Sequence, residues 1–206
     1  MRFISPTEQE IANRLKALPR TDAINEFPEA FFNRPPRRAA VLIPFLLQDS
    51  EWRLLFIRRA ENEGDRHSGQ VAFPGGVMDP KDKSPQDTAL READEEIGLL
   101  YRDVKILGQL NDFITISNFH VTPFVGVIPW PYPIAPSQDE VVRVFTIPLK
   151  WLADPKNHRI ENRAIPGGHD RIPVIYFEEY DGELLWGVSA RFTIYLLESL
   201  KLLKQP

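Results

Sequence analysis

The chain has 206 residues, of which 43% are hydrophobic and 26% are charged, with a formal net charge of −4. This balance is typical of one globular domain, residues 1–206, and argues against a protein that binds nucleic acid through bulk positive charge. The absence of cysteine excludes disulfides, thiolate metal sites and cysteine nucleophiles, and no apolar run resembles a membrane span or a signal peptide. We therefore expect a cytoplasmic protein with neither a nucleic-acid nor a membrane partner.

The predicted elements begin with a helix. Residues 5–8, Ser-Pro-Thr-Glu, have the pattern of a capping box, and apolar residues recur at helical spacing over 11–18. Residues 20–37 show no periodicity and carry several prolines and aromatic side chains, which is typical of a connecting arm packed on the surface. Residues 1–37 are therefore interpreted as an N-terminal helix and arm of the same domain.

Two apolar runs then predict a β-hairpin. They cover 39–47 and 52–59 and are separated by the turn residues Asp49 and Ser50, so the second strand returns antiparallel to the first. A charged loop follows, and a further short strand is expected at 69–73. This hairpin leads the chain directly to its most informative stretch.

That stretch combines a glycine turn with a helix. The apolar run before Gly75 and Gly76 ends in Phe-Pro-Gly-Gly, which is typical of a strand that runs into a sharp turn. After a polar loop, Ser84 is the predicted N-cap of a helix with Pro85 at its first position. Gly98 is the predicted end of that helix.

The helix carries an unusual acidic stripe. At about 100° per residue, Ala89, Leu90, Ala93 and Ile97 share an apolar face, and Glu92, Glu95 and Glu96 lie on the neighbouring arc. Neither Glu92 nor Glu96 has a Lys or Arg four residues on, so we expect a stripe without cations. Such convergent carboxylates suit a hard divalent ion such as Mg²⁺ or Mn²⁺. A solvated acidic face is the ordinary alternative, and the glycine turn in front of the helix argues against it.

The rest of the chain predicts further strands and a closing helix. Strands are expected at 104–110, 120–128 and 141–145, a β-pair at 159–164 and 172–177, and an amphipathic helix at 189–203. The order helix, strands, helix, strands, helix favours a mixed sheet between helices, which is an α/β fold.

The glycine turn and the acidic helix together resemble the signature of the Nudix hydrolases. That signature is a Gly, a carboxylate after five residues, then Arg-Glu, two residues, Glu-Glu, one residue and Gly. Its places are occupied by Gly76, Asp82, Arg91, Glu92, Glu95, Glu96 and Gly98. Asp82 stands where the family usually has Glu, and the spacer from Asp82 to Arg91 holds eight residues instead of the usual seven.

The resemblance implies a Nudix-type α/β/α sandwich with a mixed β-sheet. It also implies that Mg²⁺ or Mn²⁺ is bound by Glu92 and Glu96, with Glu95 as a further ligand or as the base. The catalytic set is then Glu92, Glu95 and Arg91, and the sequence does not separate the roles of the glutamates. Arg91 is predicted to pair with Asp82 and to hold the loop against the helix without touching the substrate.

Substrate contacts are predicted at the glycine turn and at three arginines. The backbone of Gly75 and Gly76 can approach the metal or the phosphate because glycine has no Cβ. Arg58, Arg59 and Arg66 lie on the strand and the loop that lead to this turn. Guanidinium groups bind phosphate through paired hydrogen bonds, so these three are the predicted ligands of a diphosphate or a ribose phosphate.

The sequence also resembles the coenzyme A pyrophosphatase branch of the family. The match lies in the stretch 69–76, in the longer spacer, and in Arg58 and Arg66 upstream, whose spacing differs from the branch pattern. The branch implies a small-molecule nucleotide of the coenzyme A class as substrate, with 3′,5′-ADP and 4′-phosphopantetheine as products. Segments around Phe119 and Trp130 are predicted to line a groove for the pantetheine arm.

Two alternatives stay open at this stage. A Nudix hydrolase of ADP-ribose, NADH or another nucleoside diphosphate derivative fits the same signature. A Nudix-fold domain that binds a nucleotide without hydrolysing it is the second alternative, and the intact Glu92, Glu95 and Glu96 argue against it. The sequence does not determine the oligomeric state, for which a homodimer is one expectation.

Overall fold

The computed structural model describes residues 3–25, 27, 32, 34–61, 68–164 and 171–203. Its helices are α1 (Glu8–Lys16), α2 (Pro85–Ile97), α3 (Leu149–Leu152) and α4 (Gly187–Ser199). Its strands are β1 (Ile24–Asn25), β2 (Arg37–Gln48), β3 (Glu51–Arg59), β4 (Val71–Ala72), β5 (Gly75–Val77), β6 (Lys105–Gln109), β7 (Phe113–Ile114), β8 (Phe119–Val127), β9 (Val141–Pro148), β10 (His158–Ala164) and β11 (Arg171–Phe177). None of the helices in the described ranges is long and apolar enough to cross a membrane.

A mixed sheet of nine strands is built around β2. This strand pairs in parallel with β8 and antiparallel with β3 and β5. The sheet continues from β3 to β4 and β9, and from β8 to β6, β7 and β1. Because both faces of β2 are covered, its sequence is a nearly continuous apolar run, as in other doubly covered strands. Strands β10 and β11 form a separate antiparallel ribbon.

Helices cover both faces of the sheet. On one face, α2 buries Ala89 and Ala93 in a cluster with Leu42 of β2. On the other face, α1 and α4 contribute Leu15 and Phe192 to a larger cluster around β2 and β3. Consecutive β2 side chains alternate between the two clusters, as strand geometry requires. The predicted α/β/α sandwich with a mixed sheet is confirmed.

The two predicted helix starts differ in accuracy. For α2, the Ser84 side chain accepts the N–H of Asp87, and Gly98 ends the helix in the left-handed region with φ 68°. For α1, the predicted capping box at 5–8 is wrong, because the N-cap is Thr7 and its reciprocal partner is Glu10. The chain before Thr7 is tied elsewhere, since the Trp52 indole donates to the carbonyl of residue 6 at 2.7 Å.

The structure describes only part of the predicted arm, residues 20–25, 27, 32 and 34–37. Within that part, Ile24 and Asn25 form β1, which pairs in parallel with Phe113 and Ile114 of β7. The arm is therefore attached to the edge of the sheet at this point.

Candidate active site

Strand β5 holds the two glycines against the central strand of the sheet. Gly75 lies opposite Val41, and Gly76 lies opposite Ala40. A Cβ atom on Gly75 would lie 2.5 Å from the carbonyl oxygen of Ala40, so only glycine allows this approach. A Cβ atom on Gly76 would lie 2.5 Å from the carboxylate of Glu92. The glycine turn is thus packed directly against the acidic side of α2.

Glu96 is the most deeply buried acid of α2, with 1% of its surface exposed. One carboxylate oxygen accepts the N–H of Gly75 at 2.9 Å, and the other accepts a hydrogen bond from Arg59 at 3.1 Å. Burial raises the pKa of Glu96 to about 7, although both of these contacts favour the charged form. Glu96 is therefore a carboxylate in a dry environment, where a bound cation stabilises its charged form strongly.

Glu92 and Glu95 are closer to solvent. The side chain of Glu92 is 16% exposed and that of Glu95 is 57% exposed. Burial raises the pKa of Glu92, the charge of Arg91 opposes this shift, and the charges of Glu95 and Glu140 add to it. Arg91 donates to both glutamates at 2.8 Å. The expectation of a stripe without cations is therefore wrong, because Arg91 lies one helical turn before Glu95 and forms an i,i+4 pair with it.

Arg91 also fixes the loop between the glycine turn and α2. Its Nε and Nη2 atoms donate to the two carboxylate oxygens of Asp82, each at 3.0 Å, and Nη2 also donates to the carbonyl of Val77 at 3.2 Å. Asp82 accepts two further hydrogen bonds, from Thr88 at 2.8 Å and from the N–H of Asp79 at 2.9 Å. The predicted contact between Arg91 and Asp82 is confirmed, and it clamps the longer spacer onto the helix.

This clamp predicts a specific response to acid. Hydrogen bonding to Arg91 lowers the pKa of Asp82 from 3.8 to about 2, so its stabilising effect is complete above about pH 5 and is lost as the pH falls toward about 2. Asp82→Asn is expected to lower the free energy of unfolding by roughly 2 kcal/mol at neutral pH. Chemical unfolding at several pH values measures the difference in the free energy of unfolding between the wild type and each variant. We expect this difference to become smaller below about pH 4 for Asp82→Asn and to stay the same for the control Asp94→Asn, which lies on the same helix. A difference for Asp82→Asn that does not change with pH would contradict the assignment.

The structure describes two of the three arginines predicted to bind phosphate and places them on opposite faces of the sheet. Arg59, at the end of β3, faces α2 and contacts Glu96. Arg58 points to the other face of the sheet, because side chains alternate along a strand, and lies 3.7 Å from Glu183 in an ion pair. This position argues against the predicted role of Arg58. Arg66 lies outside the described residues, so its role stays a prediction.

A cavity of about 620 Å³ begins at the glycine turn. Gly75, Gly76 and Arg59 form part of its wall, and Arg163 of β10 and Arg191 of α4 contribute two further positive charges. Among the described lining residues there is no Asp or Glu. Most of the remaining wall is apolar and comes from residues such as Phe27, Val41, Phe113, Phe119, Val121 and Trp186. A chain with a net charge of −4 thus forms a positively charged, largely apolar cavity beside its buried carboxylates.

The cavity changes the predicted set of substrate contacts. Phe119 lies in its wall, as expected, whereas Trp130 packs with the core on the α2 side of the sheet. The sequence prediction missed Arg163 and Arg191. They are separated from the signature by more than sixty residues, and no local pattern marks them, so only the tertiary fold brings them to the glycine turn.

The acidic residues of α2 differ in how well they fit a divalent cation. Within the described part of the chain, no three His, Cys, Asp or Glu side chains are gathered into a complete metal site. Glu92 and Glu96 adjoin the glycine turn, whereas Glu95 is turned toward Arg91. Mg²⁺ is typically held by one or two protein carboxylates, with water and substrate phosphates as its other ligands. Two partly desolvated carboxylates beside a cavity lined by arginines fit that pattern.

Comparison with known proteins gives a consistent result. The sequence profile described as the NUDIX domain matches residues 36–167. Proteins described as uncharacterized Nudix hydrolase NudL, from Yersinia pestis (strain Pestoides F) and Yersinia pseudotuberculosis serotype O:1b (strain IP 31758), are each 36% identical over 195 residues, covering 94% of this chain and 94% of the relative. Among solved structures, a MutT/nudix family protein from Enterococcus faecalis has a similar fold, with a TM-score of 0.51 and 16% identity over 85% of this chain and 65% of that chain.

Proposed function

This chain belongs to the Nudix family and is a pyrophosphohydrolase of nucleoside diphosphate derivatives, and we propose that its substrate is coenzyme A or an acyl derivative of it. Hydrolysis of the diphosphate gives 3′,5′-ADP and 4′-phosphopantetheine or its acyl form. The observation that carries the proposal is the cavity at Gly75 and Gly76, which combines three arginines, no described acid and a long apolar wall.

The chemistry of the cavity fits the parts of coenzyme A. The molecule has a diphosphate, a separate phosphate monoester on the ribose, and a flexible arm with long apolar stretches. Arginines bind the phosphate groups, and apolar walls such as those formed by Phe113 and Phe119 bury the arm. ADP-ribose has only two phosphates and carries ribose hydroxyls at its far end, which such a wall would desolvate without forming hydrogen bonds.

Five residues of the site define how the diphosphate would be bound and hydrolysed. Glu92 and Glu96, with Glu95 as a further ligand or as the base, are the residues that would hold Mg²⁺ or Mn²⁺. A divalent cation there supplies neutralisation of the diphosphate charge and activation of a water molecule for attack on phosphorus. Arg59 orients Glu96, and Arg91 fixes the positions of Glu92 and Glu95.

The glycine turn gives the diphosphate room to approach. Alanine at its two glycines is expected to have different effects, on activity at Gly76 and on stability at Gly75. Gly76→Ala would place its Cβ against the carboxylate of Glu92 and push this side chain out of the position in which Arg91 holds it, so the fold survives and hydrolysis falls by roughly a hundredfold. Gly75→Ala would meet the backbone of Ala40 and Val41 at 2.5 and 2.7 Å and lower the free energy of unfolding by roughly 2–3 kcal/mol. Thermal unfolding and initial rates separate the two effects. A fully active Gly76→Ala protein would contradict the placement of the reaction at this turn.

Hydrolysis of a panel of diphosphates tests the proposed substrate. Coenzyme A, dephospho-coenzyme A, ADP-ribose and NADH are each incubated with the protein, with and without Mg²⁺, and the products are separated by chromatography. We expect coenzyme A to be hydrolysed with the highest kcat/KM, to 3′,5′-ADP and 4′-phosphopantetheine, and only with the metal. A preference for ADP-ribose or NADH would move the protein to the first alternative. No turnover of any compound would favour a binding domain.

A further inference from the structure

A stacked pair of aromatic rings adjoins the cavity. The rings of Tyr176 and Trp186 lie within 3° of parallel, with centroids 5.7 Å apart, and their backbones form an antiparallel bridge. Trp186 lies in the wall of the cavity, whereas Tyr176, with 5% of its surface exposed, is buried in the ribbon. Tyr176 therefore fixes the plane of Trp186 from within the protein.

Arg163 joins this stack from β10. Its guanidinium carbon lies 5.1 Å from the ring centroid of Tyr176 and 5.4 Å from that of Trp186. Among the described residues, it has no carboxylate partner. Cation–π contacts hold the guanidinium in place without using its N–H donors, which lie in the plane of the group. Arg163 is thus a positioned cation in the cavity wall whose hydrogen-bonding capacity is available to a ligand.

Arg159 shows that this arrangement is particular to Arg163. It lies on the same strand, and its guanidinium is also close to Tyr176, at 5.5 Å. However, Arg159 donates to Glu161 and Glu178, each at 2.8 Å, and it is not part of the described cavity wall. Of the two arginines of β10, Arg159 is neutralised by carboxylates, whereas Arg163 lies in the wall of the cavity.

Two properties of this part of the wall indicate the class of ligand. A planar base stacks on exposed aromatic or guanidinium planes, and a guanidinium binds a phosphate through paired hydrogen bonds. Resting on the function proposed above, we infer that Trp186 and Arg163 bind the nucleoside half of the substrate. In this inference, Arg163 determines specificity for a nucleotide that carries a phosphate monoester in addition to its diphosphate. The apolar wall around Phe113 and Phe119 is then left for the other half.

Binding of product-like nucleotides in the absence of metal tests this inference without turnover. Isothermal titration calorimetry compares 3′,5′-ADP with 5′-AMP for the wild type, Arg163→Gln, Trp186→Leu and the matched control Arg159→Gln. We expect the wild type to bind 3′,5′-ADP roughly tenfold more tightly than 5′-AMP, a preference that Arg163→Gln removes and Arg159→Gln keeps. Trp186→Leu is expected to weaken the binding of both nucleotides by the same factor, about tenfold. Thermal unfolding confirms that each variant is folded.

Kinetics of the same variants separate this inference from the proposed function. If Arg163→Gln still prefers coenzyme A over dephospho-coenzyme A as strongly as the wild type, the inference is overturned and the proposed function stands. If the wild type hydrolyses neither compound but Arg163→Gln loses the preference for 3′,5′-ADP in calorimetry, the binding site stands and the proposed function fails. An equal loss in Arg159→Gln and Arg163→Gln would also overturn the inference, because it would reflect the general charge of the ribbon.

Discussion

Glu96→Gln is expected to lower the rate of diphosphate hydrolysis by roughly 10²–10⁴-fold while the protein stays folded. Glu96 is the acid that adjoins both the glycine turn and Arg59, and in the proposed site its charge would hold the cation there. Gln keeps the size of the side chain and removes a buried charge, which offsets the loss of a hydrogen bond to Gly75 or Arg59. The free energy of unfolding should therefore change by no more than about 1 kcal/mol.

Steady-state rates at saturating Mg²⁺, together with thermal unfolding, measure this effect. Asp94→Asn is the matched control, because it also removes one negative charge from α2 but at an exposed position. We expect the control to keep its activity. A near-wild-type rate in Glu96→Gln would show that Glu96 is not part of the metal site.

Arg91→Ala is expected to lower the free energy of unfolding by roughly 3 kcal/mol and to reduce activity at the same time. The substitution removes both hydrogen bonds to Asp82, whose side chain is only 5% exposed, and leaves that carboxylate buried without its main partner. It also releases Glu92 and Glu95, which Arg91 holds in fixed positions. Stability and catalysis are therefore linked through one side chain.

Urea unfolding and initial rates test this link. Arg91→Lys should be intermediate, because an ammonium group cannot reproduce the bidentate contact with Asp82. Arg102→Ala is the control, since the side chain of Arg102 is 80% exposed and its ion pair with Asp103 is 4.0 Å long. If Arg91→Ala were as stable as Arg102→Ala, Arg91 would not act as the clamp of the loop.

Elements set by short-range chemistry could be predicted from the sequence. Ser84, Pro85 and Gly98 bound α2 because capping and the left-handed backbone depend on the residues themselves. The two apolar runs on either side of the turn at Asp49 and Ser50 likewise predicted β2 and β3, and the signature predicted the contact between Asp82 and Arg91. In each case, the signal lies in residues that are close together in the sequence.

Contacts between distant segments could not be predicted in this way. Whether Arg58 or Arg59 faces α2 depends on the register of β3. The register of β3 against β9 shifts by a bulge or irregularity between these two residues. The sequence offered both residues as equal candidates, and only the fold directs Arg59 to Glu96. Arg163 reaches the cavity only because the ribbon of β10 and β11 packs beside the sheet.

In the proposed account, recognition of the substrate is divided between two regions of the chain. The signature stretch supplies Glu92 and Glu96 beside the glycine turn, where the diphosphate would lie. The ribbon and the residue before α4 would supply Arg163 and Trp186, which lie outside the signature. Substitutions in the second region should change which nucleotide is used without removing the capacity for hydrolysis.

Binding of Mn²⁺ to the free protein is the most direct test of the central claim, that Glu92 and Glu96 form the metal-binding part of the site. Electron paramagnetic resonance follows the loss of the free Mn²⁺ signal as the protein is titrated. We predict saturable binding to the wild type and to Asp94→Asn, weakened by at least about tenfold in Glu92→Gln and in Glu96→Gln. Unchanged Mn²⁺ affinity in both glutamine variants would contradict the claim.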